Sequence, residues 1–253
     1  MRIIIFFISV LFFQAISADA IILPMRERAQ VIDKIIDERI ETVLPGLMER
    51  TGIDMWVIIS REYNEDPVLK TFLPSTWQTA RRRTILLIFN PGDEKPLETL
   101  AVARYGVGET FIKAWDKELH GDQWKRLAEL IDERNPNQIG INYSDTFALA
   151  DGITHTEYDL FLESLKPVHR DKVISAENLS VGWLETRSKT EMIIYQQICR
   201  IAHEILAAGL TDEVIQPGIT TTNDVAWWYR DRIRELKLTA WFHPSVSIQR
   251  ETS

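Results

Sequence analysis

Between residues 27 and 47, Ile32, Ile36, Ile40, Val43 and Leu47 recur at helical spacing with Arg, Asp and Glu between them. That pattern predicts one helix with a packed face and a wet face. Gly52 ends the region, and Met55, Trp56, Val57, Ile58 and Ile59 then follow without a polar break. A short unbroken run rich in branched residues predicts a strand covered on both sides. Residues 61–77 are polar and marked by Pro67 and Pro74, the pattern of a long loop or lid. Residues 84–89 repeat the buried-strand pattern, Asn90-Pro91-Gly92-Asp93 predicts a turn, and residues 97–105 predict a third strand that closes a hairpin with the second.

Further along, Asp122 is placed to cap a helix with Trp124, Leu127, Ala128 and Ile131 on one face, stopped by Asn135-Pro136. Residues 138–142 predict a fourth strand. Thr156 with Asp159 predicts the opening of another helix, carrying Tyr158, Phe161, Leu162 and Leu165 and closed by Pro167. Strands and helices interleave as far as residue 179, which predicts an α/β domain over residues 21–180 with a mixed sheet and flanking helices.

A second region follows over residues 181–253. Ser188 and Glu191 have the spacing of a capping box, in which the hydroxyl accepts from one backbone N–H and the carboxylate from the other. Behind them Ile194, Ile198, Ile201 and Ile205 form a stripe that ends at Gly209. Pro217-Gly218 predicts a turn. Thr221 with Asp224 opens a helix whose packing face is Val225, Trp228, Tyr229, Ile233 and Leu236, and residues 241–248 have an extended, strand-like pattern.

Composition adds limits to this picture. The chain has 253 residues, 45% hydrophobic and 26% charged, which suffices for a real core. Its formal net charge of -8 opposes the counterion-release attraction on which nucleic-acid binders rely, so nucleic acid is not an expected partner. Arg2, the apolar run 3–13 and Ala18-Asp19-Ala20 form a signal-peptide pattern over residues 1–20, cleaved after Ala20. The expected product is exported, periplasmic or extracellular, with no stable membrane anchor. One cysteine, Cys199, forms no intramolecular disulfide and is expected as a small buried apolar side chain.

Reactive constellations are few. Arg81-Arg82-Arg83 lacks a glycine-rich cradle and is expected as the solvated start of a strand, and Gly106-Val107-Gly108 as a turn. His203-Glu204 starts like a zinc-protease motif, but Ala207 stands where its second histidine would be. His120, His155, His169, His203 and His243 are dispersed and are expected as surface or satisfied structural residues. Asp212, Asp224 and Asp231 are accounted for by caps and solvated faces. Asn142-Tyr143-Ser144 and Asn178-Leu179-Ser180 match the glycosylation acceptor pattern. No catalytic, cofactor-binding or metal-binding residue is assigned.

Residues 183–191 (WLETRSKTE), 214–220 (VIQPGIT) and 241–246 (WFHPSV) nevertheless occur in an order that resembles the start of the catalytic domain in the creatinase/Xaa-Pro aminopeptidase, or pita-bread metallopeptidase, superfamily. The preceding α/β region, with Asp151-Gly152-Ile153-Thr154, resembles the creatinase-like N-terminal domain of that family. The resemblance covers residues from about 25 to the last one. It implies the first part of an α+β pita-bread domain over 181–253. It also implies cleavage of the bond before proline by two divalent metal ions, most often manganese, held by two aspartates, one histidine and two glutamates. Proline-containing peptides as substrates and a homodimer are implied likewise.

Those five ligands follow the last matched motif in the family, so the chain is expected to lack them and to be inactive alone. His243 precedes the position of the family's pocket histidine and takes no role from it. The expectation is a fragment or truncated relative of an exported Xaa-Pro peptidase. The alternatives are a non-catalytic exported binding or dimerisation module, and a creatinase-like amidinohydrolase relative.

Overall fold

The computed structural model describes residues 22–93 and 95–249; the signal pattern at residues 1–20 lies outside them. The chain divides into two compact units. One is Pro24–Ile194, and the other comprises residues 22–23 and 195–249 among those described.

The first unit is an α/β structure around a six-stranded mixed sheet. Its strands are β1 (Met55–Arg61), β2 (Arg83–Phe89), β3 (Glu98–Val102), β4 (Ile112–Lys113), β5 (Ile139–Ile141) and β6 (Val173–Ser175), in the spatial order β4-β3-β2-β1-β5-β6. β1 and β2 pair antiparallel, as do β2 and β3, which gives the expected hairpin; β1 with β5, β5 with β6 and β3 with β4 are parallel. Strand alternation divides the core into two. Trp56 and Ile58 of β1 face one cluster, with Leu86 and Ile88 of β2. Met55, Val57 and Ile59 face the other, with Ile85 and Leu87. Both faces of β1 are therefore covered, which is why the strand is apolar at consecutive positions.

Helices α1 (Met25–Thr42), α2 (Leu44–Thr51), α3 (Pro67–Lys70) and, later in the chain, Glu177–Glu185 supply the first cluster. The single helix expected over 27–47 is two helices. Pro45 has no N–H to donate to the turn before it, so the helical ladder breaks at Val43 and restarts with Pro45 in the first turn of α2. Gly52 closes α2 in the left-handed conformation at φ 69°. The expected lid at 61–77 is instead part of the core: Val68, Leu69, Phe72 and Leu73 are buried, and Phe72 stacks on Trp183 with centroids 4.5 Å apart. Its prolines start a short helix and a turn instead of marking solvent exposure.

The second cluster is covered by α5 (Gln123–Arg134), which follows the short α4 (Lys117–His120), and by α6 (His155–Ser164). Asp122 caps α5 as expected, accepting from the Lys125 N–H at 2.9 Å. The α6 cap is Thr154, two residues ahead of the expected Thr156. Thr154-x-x-Glu157 has capping-box spacing, but the Glu157 carboxylate is held elsewhere by Arg83. After α7 (Pro167–Arg170) and β6 comes α8 (Glu177–Glu185), carrying Trp183 into the first cluster.

The junction after α8 is fixed by Arg39 of α1. This arginine belongs to a face expected to be wet, yet it is 7% exposed. Its guanidinium donates to the carbonyls of Trp183 and Thr186 at the end of α8 and to Glu191 Oε2 at 2.6 Å, and it lies 4.2 Å from the Trp183 ring centroid. Carbonyls left unpaired at a helix end attract a cation. The Ser188–Glu191 capping box forms as expected and opens α9 (Lys189–Gly209).

In the second unit, α10 (Thr222–Glu235) starts with the expected Thr221–Asp224 capping box. Gly218 takes φ 79° in the preceding turn. Ile201, Ile205, Val225 and Tyr229 form the cluster of this unit. Two expectations fail here. Cys199 is exposed, because it lies two residues from Ile201 and so on the opposite side of α9; Ile198 is likewise half exposed. Residues 241–248 form no strand, having no ladder partner among the described residues.

Gly209 does more than stop α9. A Cβ on it would lie 2.3 Å from the Tyr229 ring, whose hydroxyl donates to the Leu206 carbonyl at 2.9 Å. Gly209→Ala must push this ring out of place, and is expected to destabilise the second unit by about 1–3 kcal/mol. Chemical denaturation followed by tryptophan fluorescence measures the loss.

Candidate functional site

Two polar constructions lie at the same end of the central strands, one buried and one open. The buried one starts from Asp66, which is inaccessible to solvent although it sits in the segment expected as a loop. Its Oδ1 accepts from the N–H groups of Val68 and Leu69 at 2.7 and 3.1 Å, capping α3. Its Oδ2 accepts from Asn142 Nδ2 at 2.9 Å, and its own N–H donates to Ser60 Oγ at 2.9 Å. Asn142 Oδ1 in turn accepts from Trp56 Nε1 at 2.7 Å and Ser180 Oγ at 3.0 Å. The Asn142 carbonyl takes the N–H groups of Gly152 and Ile153, both at 3.0 Å.

This network joins β1, α3, the end of β5, the 151–154 turn and α8 through groups that all have partners. Burial pushes the Asp66 carboxyl up, while the bonds from Asn142, Leu69 and Val68 pull it down; the net direction is upward. Gly152 faces it so closely that a Cβ there would lie 2.0 Å from Asp66 Oδ2. The Asn142 glycosylation match is therefore occupied by structure, whereas Asn178 is exposed.

The open construction is a cleft of about 400 Å³ lined by Arg61, Glu62, Tyr63, Arg82, Arg83, Arg104, Trp115 and Gln123. The three arginines expected as a uniform solvated start separate into three roles. Arg81 stacks on Trp77 and Tyr105, its guanidinium carbon 4.8 and 5.6 Å from the two centroids. Arg82 is exposed, at φ 57°, with its guanidinium 3.6 Å from Glu62. Arg83 is in β2 and grips the buried Glu157 with two bonds, 2.6 and 3.2 Å, while lying 4.8 Å above the Trp124 ring. Arg61 reaches the same carboxylate at 3.7 Å. In the sequence Glu157 shows only capping-box spacing to Thr154, which does not mark it as the partner of two arginines.

The histidines stay apart. His155 pairs with Asp159 at 2.8 Å on the surface, the buried His169 is 3.3 Å from Asp132, and His243 lies against the Trp227 ring. His120 accepts from the Asp116 N–H at 2.9 Å, and His203 with Glu204 is exposed. Among the described residues, no three His, Cys, Asp or Glu side chains come together as a metal-binding group. Two divalent ions thus find no fitting donor set in these residues. No helix among the described residues is long and apolar enough to cross a membrane.

No family model matches the chain, and no curated protein matches it. Among solved structures it is similar to an Xaa-Pro dipeptidase from Bacillus anthracis, at 16% identity and a TM-score of 0.44, covering 81% of this chain and 49% of that one. The chain spans about half the length of that structure. No residue role is carried across a likeness of this size.

Asp66→Asn places an amide N–H₂ against the Asn142 amide donor and is expected to cost about 1–3 kcal/mol. The cost depends on pH with a definite sign. A carboxyl whose folded pKa is raised binds its proton more tightly when folded, so the wild type loses stability as pH rises from the unfolded value, about 3.9, through the folded one. The variant has no such titration. The stability gap between the two is expected to narrow as pH rises through this window, as measured by urea denaturation at a series of pH values.

Proposed function

We propose that the described residues form the N-terminal, non-hydrolytic part of an exported, metal-dependent Xaa-Pro peptidase relative. The observation that carries this reading is the ordered set of segments 183–191, 214–220 and 241–246 behind an α/β unit. Several of their residues have identifiable structural work. Ser188 and Glu191 cap α9, Gly218 turns the chain at positive φ, and Trp183 and Glu191 are bound by Arg39. These are positioning roles, as expected of the frame of a site rather than of its reacting groups.

On this reading the whole protein would act on proline-containing peptides, and the chain of 253 residues would not cleave them. Incubated with manganese and an Xaa-Pro dipeptide, it is expected to release no proline above a metal-only control; metal-dependent turnover would overturn the proposal. Export is tested separately. Secreted protein is expected to begin at Ile21, and N-terminal sequencing that finds Met1 on the exported product would refute cleavage after Ala20.

A further inference from the structure

Arg61 of β1 and Arg83 of β2 are direct register partners across an antiparallel pair. Continuing the β2–β3 register two residues past its last pair, Ile85 with Val102, brings Arg104 opposite Arg83. Three arginines thus form a row over the ends of three adjacent strands, and Arg82 stands beside it; all four line one cleft. Like charges placed directly across a sheet oppose pairing. The strands tolerate them because the buried Glu157 carboxylate is shared by Arg83 and Arg61.

The compensation is incomplete. Four guanidiniums line the cleft with one carboxylate, Glu62, and the buried Glu157 compensates one more, so an excess of two positive charges is left in a chain whose formal net charge is -8. Arg104 and Arg82 are exposed, and the Arg82–Glu62 pair is a long one at 3.6 Å. The backbone is also constrained here. Tyr63 and Arg82, both lining residues, hold left-handed φ values of 70° and 57°, which are costly for side chains of their kind. The Glu62 N–H donates to the Arg82 carbonyl at 2.6 Å and the Arg82 N–H to the Glu62 carboxylate at 3.0 Å, fixing both turns against each other.

We propose that this cleft binds a small organic or inorganic anion carrying at least two oxyanion groups. Adjacent strands are about 4.8 Å apart, so the arginine row spreads over about 10 Å. That separation suits a di- or tricarboxylate or a condensed phosphate better than a single carboxylate. Guanidinium forks bind either oxyanion with two parallel hydrogen bonds. Arg82 and Arg104 make the direct contacts, Arg61 contributes from the row, and Arg83 stays with Glu157. Tyr63 and Trp115 supply the less polar walls. The site is independent of the peptidase reading, since none of its residues lies in the segments that support it.

The test uses the full chain, titrated by calorimetry with citrate and with inorganic pyrophosphate, and with acetate as the single-charge control. Saturable binding of citrate or pyrophosphate, weakened by added salt, is expected, with acetate far weaker. Stronger citrate binding assigns the site to polycarboxylates, and stronger pyrophosphate binding to condensed phosphates. Arg104→Gln and Arg82→Gln are each expected to weaken binding about tenfold. Glu62→Gln removes the competing carboxylate and is expected to tighten it about twofold to fivefold. Lys117→Ala, outside the cleft, is expected to change nothing. Arg82, Arg104 and Lys117 are exposed and Glu62 is half-buried, and unchanged thermal unfolding confirms that each variant is folded. No saturable binding of either probe at millimolar concentration, or equal losses from Lys117→Ala and Arg104→Gln, would overturn the proposal.

Discussion

The bond between Asp66 and Asn142 is the constraint on which the first unit depends. A carboxylate with no access to water is tolerated only if every lone pair directed into the protein finds a donor. Two backbone N–H groups at the start of α3 and the side-chain amide of Asn142 at the end of β5 meet that need. Asn142 then uses its remaining amide oxygen for Trp56 and Ser180, so the strand, the short helix α3 and helix α8 are registered against one another. Apolar packing around Trp56, Phe72 and Trp183 supplies bulk stabilisation, but it is the polar set that admits only one arrangement of these pieces.

Much of the fold was legible in local patterns. The unbroken apolar run of β1 correctly implied two covered faces, and the Asp122, Ser188 and Thr221 caps were readable because a cap involves residues three apart. What was not legible depends on partners distant in the sequence. Arg39 lies 144 residues from the Trp183 carbonyl that it binds, and Glu157 lies 74 from Arg83. Polarity and the two prolines suggested a loop at 61–77, since nothing in that stretch shows that Asp66 would be matched by Asn142. The strand expected at 241–248 depends likewise on a partner that a local pattern cannot supply, whereas Cys199 was misplaced by helix geometry, two residues from the buried Ile201 and so on the other side of α9.

The two polar constructions answer the same problem differently. At Asp66 each group is satisfied from within, which leaves a rigid joint with nothing to offer a ligand. In the arginine cleft the protein supplies one buried carboxylate for two guanidiniums and leaves others facing solvent. Residues 183–191 and 214–220, by contrast, are engaged in caps, turns and packing.

The contact between Gly152 and Asp66 also bears on how this sequence can change over generations. A side chain at 152 and a carboxylate at 66 cannot occupy the same space, since a single added carbon would fall 2.0 Å from an oxygen. A lineage must first replace Asp66 with something smaller before position 152 can accept any Cβ, and replacing Asp66 leaves the Val68, Leu69 and Asn142 donors without their acceptor. Each first step is therefore uphill, and the pair is expected to persist through divergence that freely alters the surface around it.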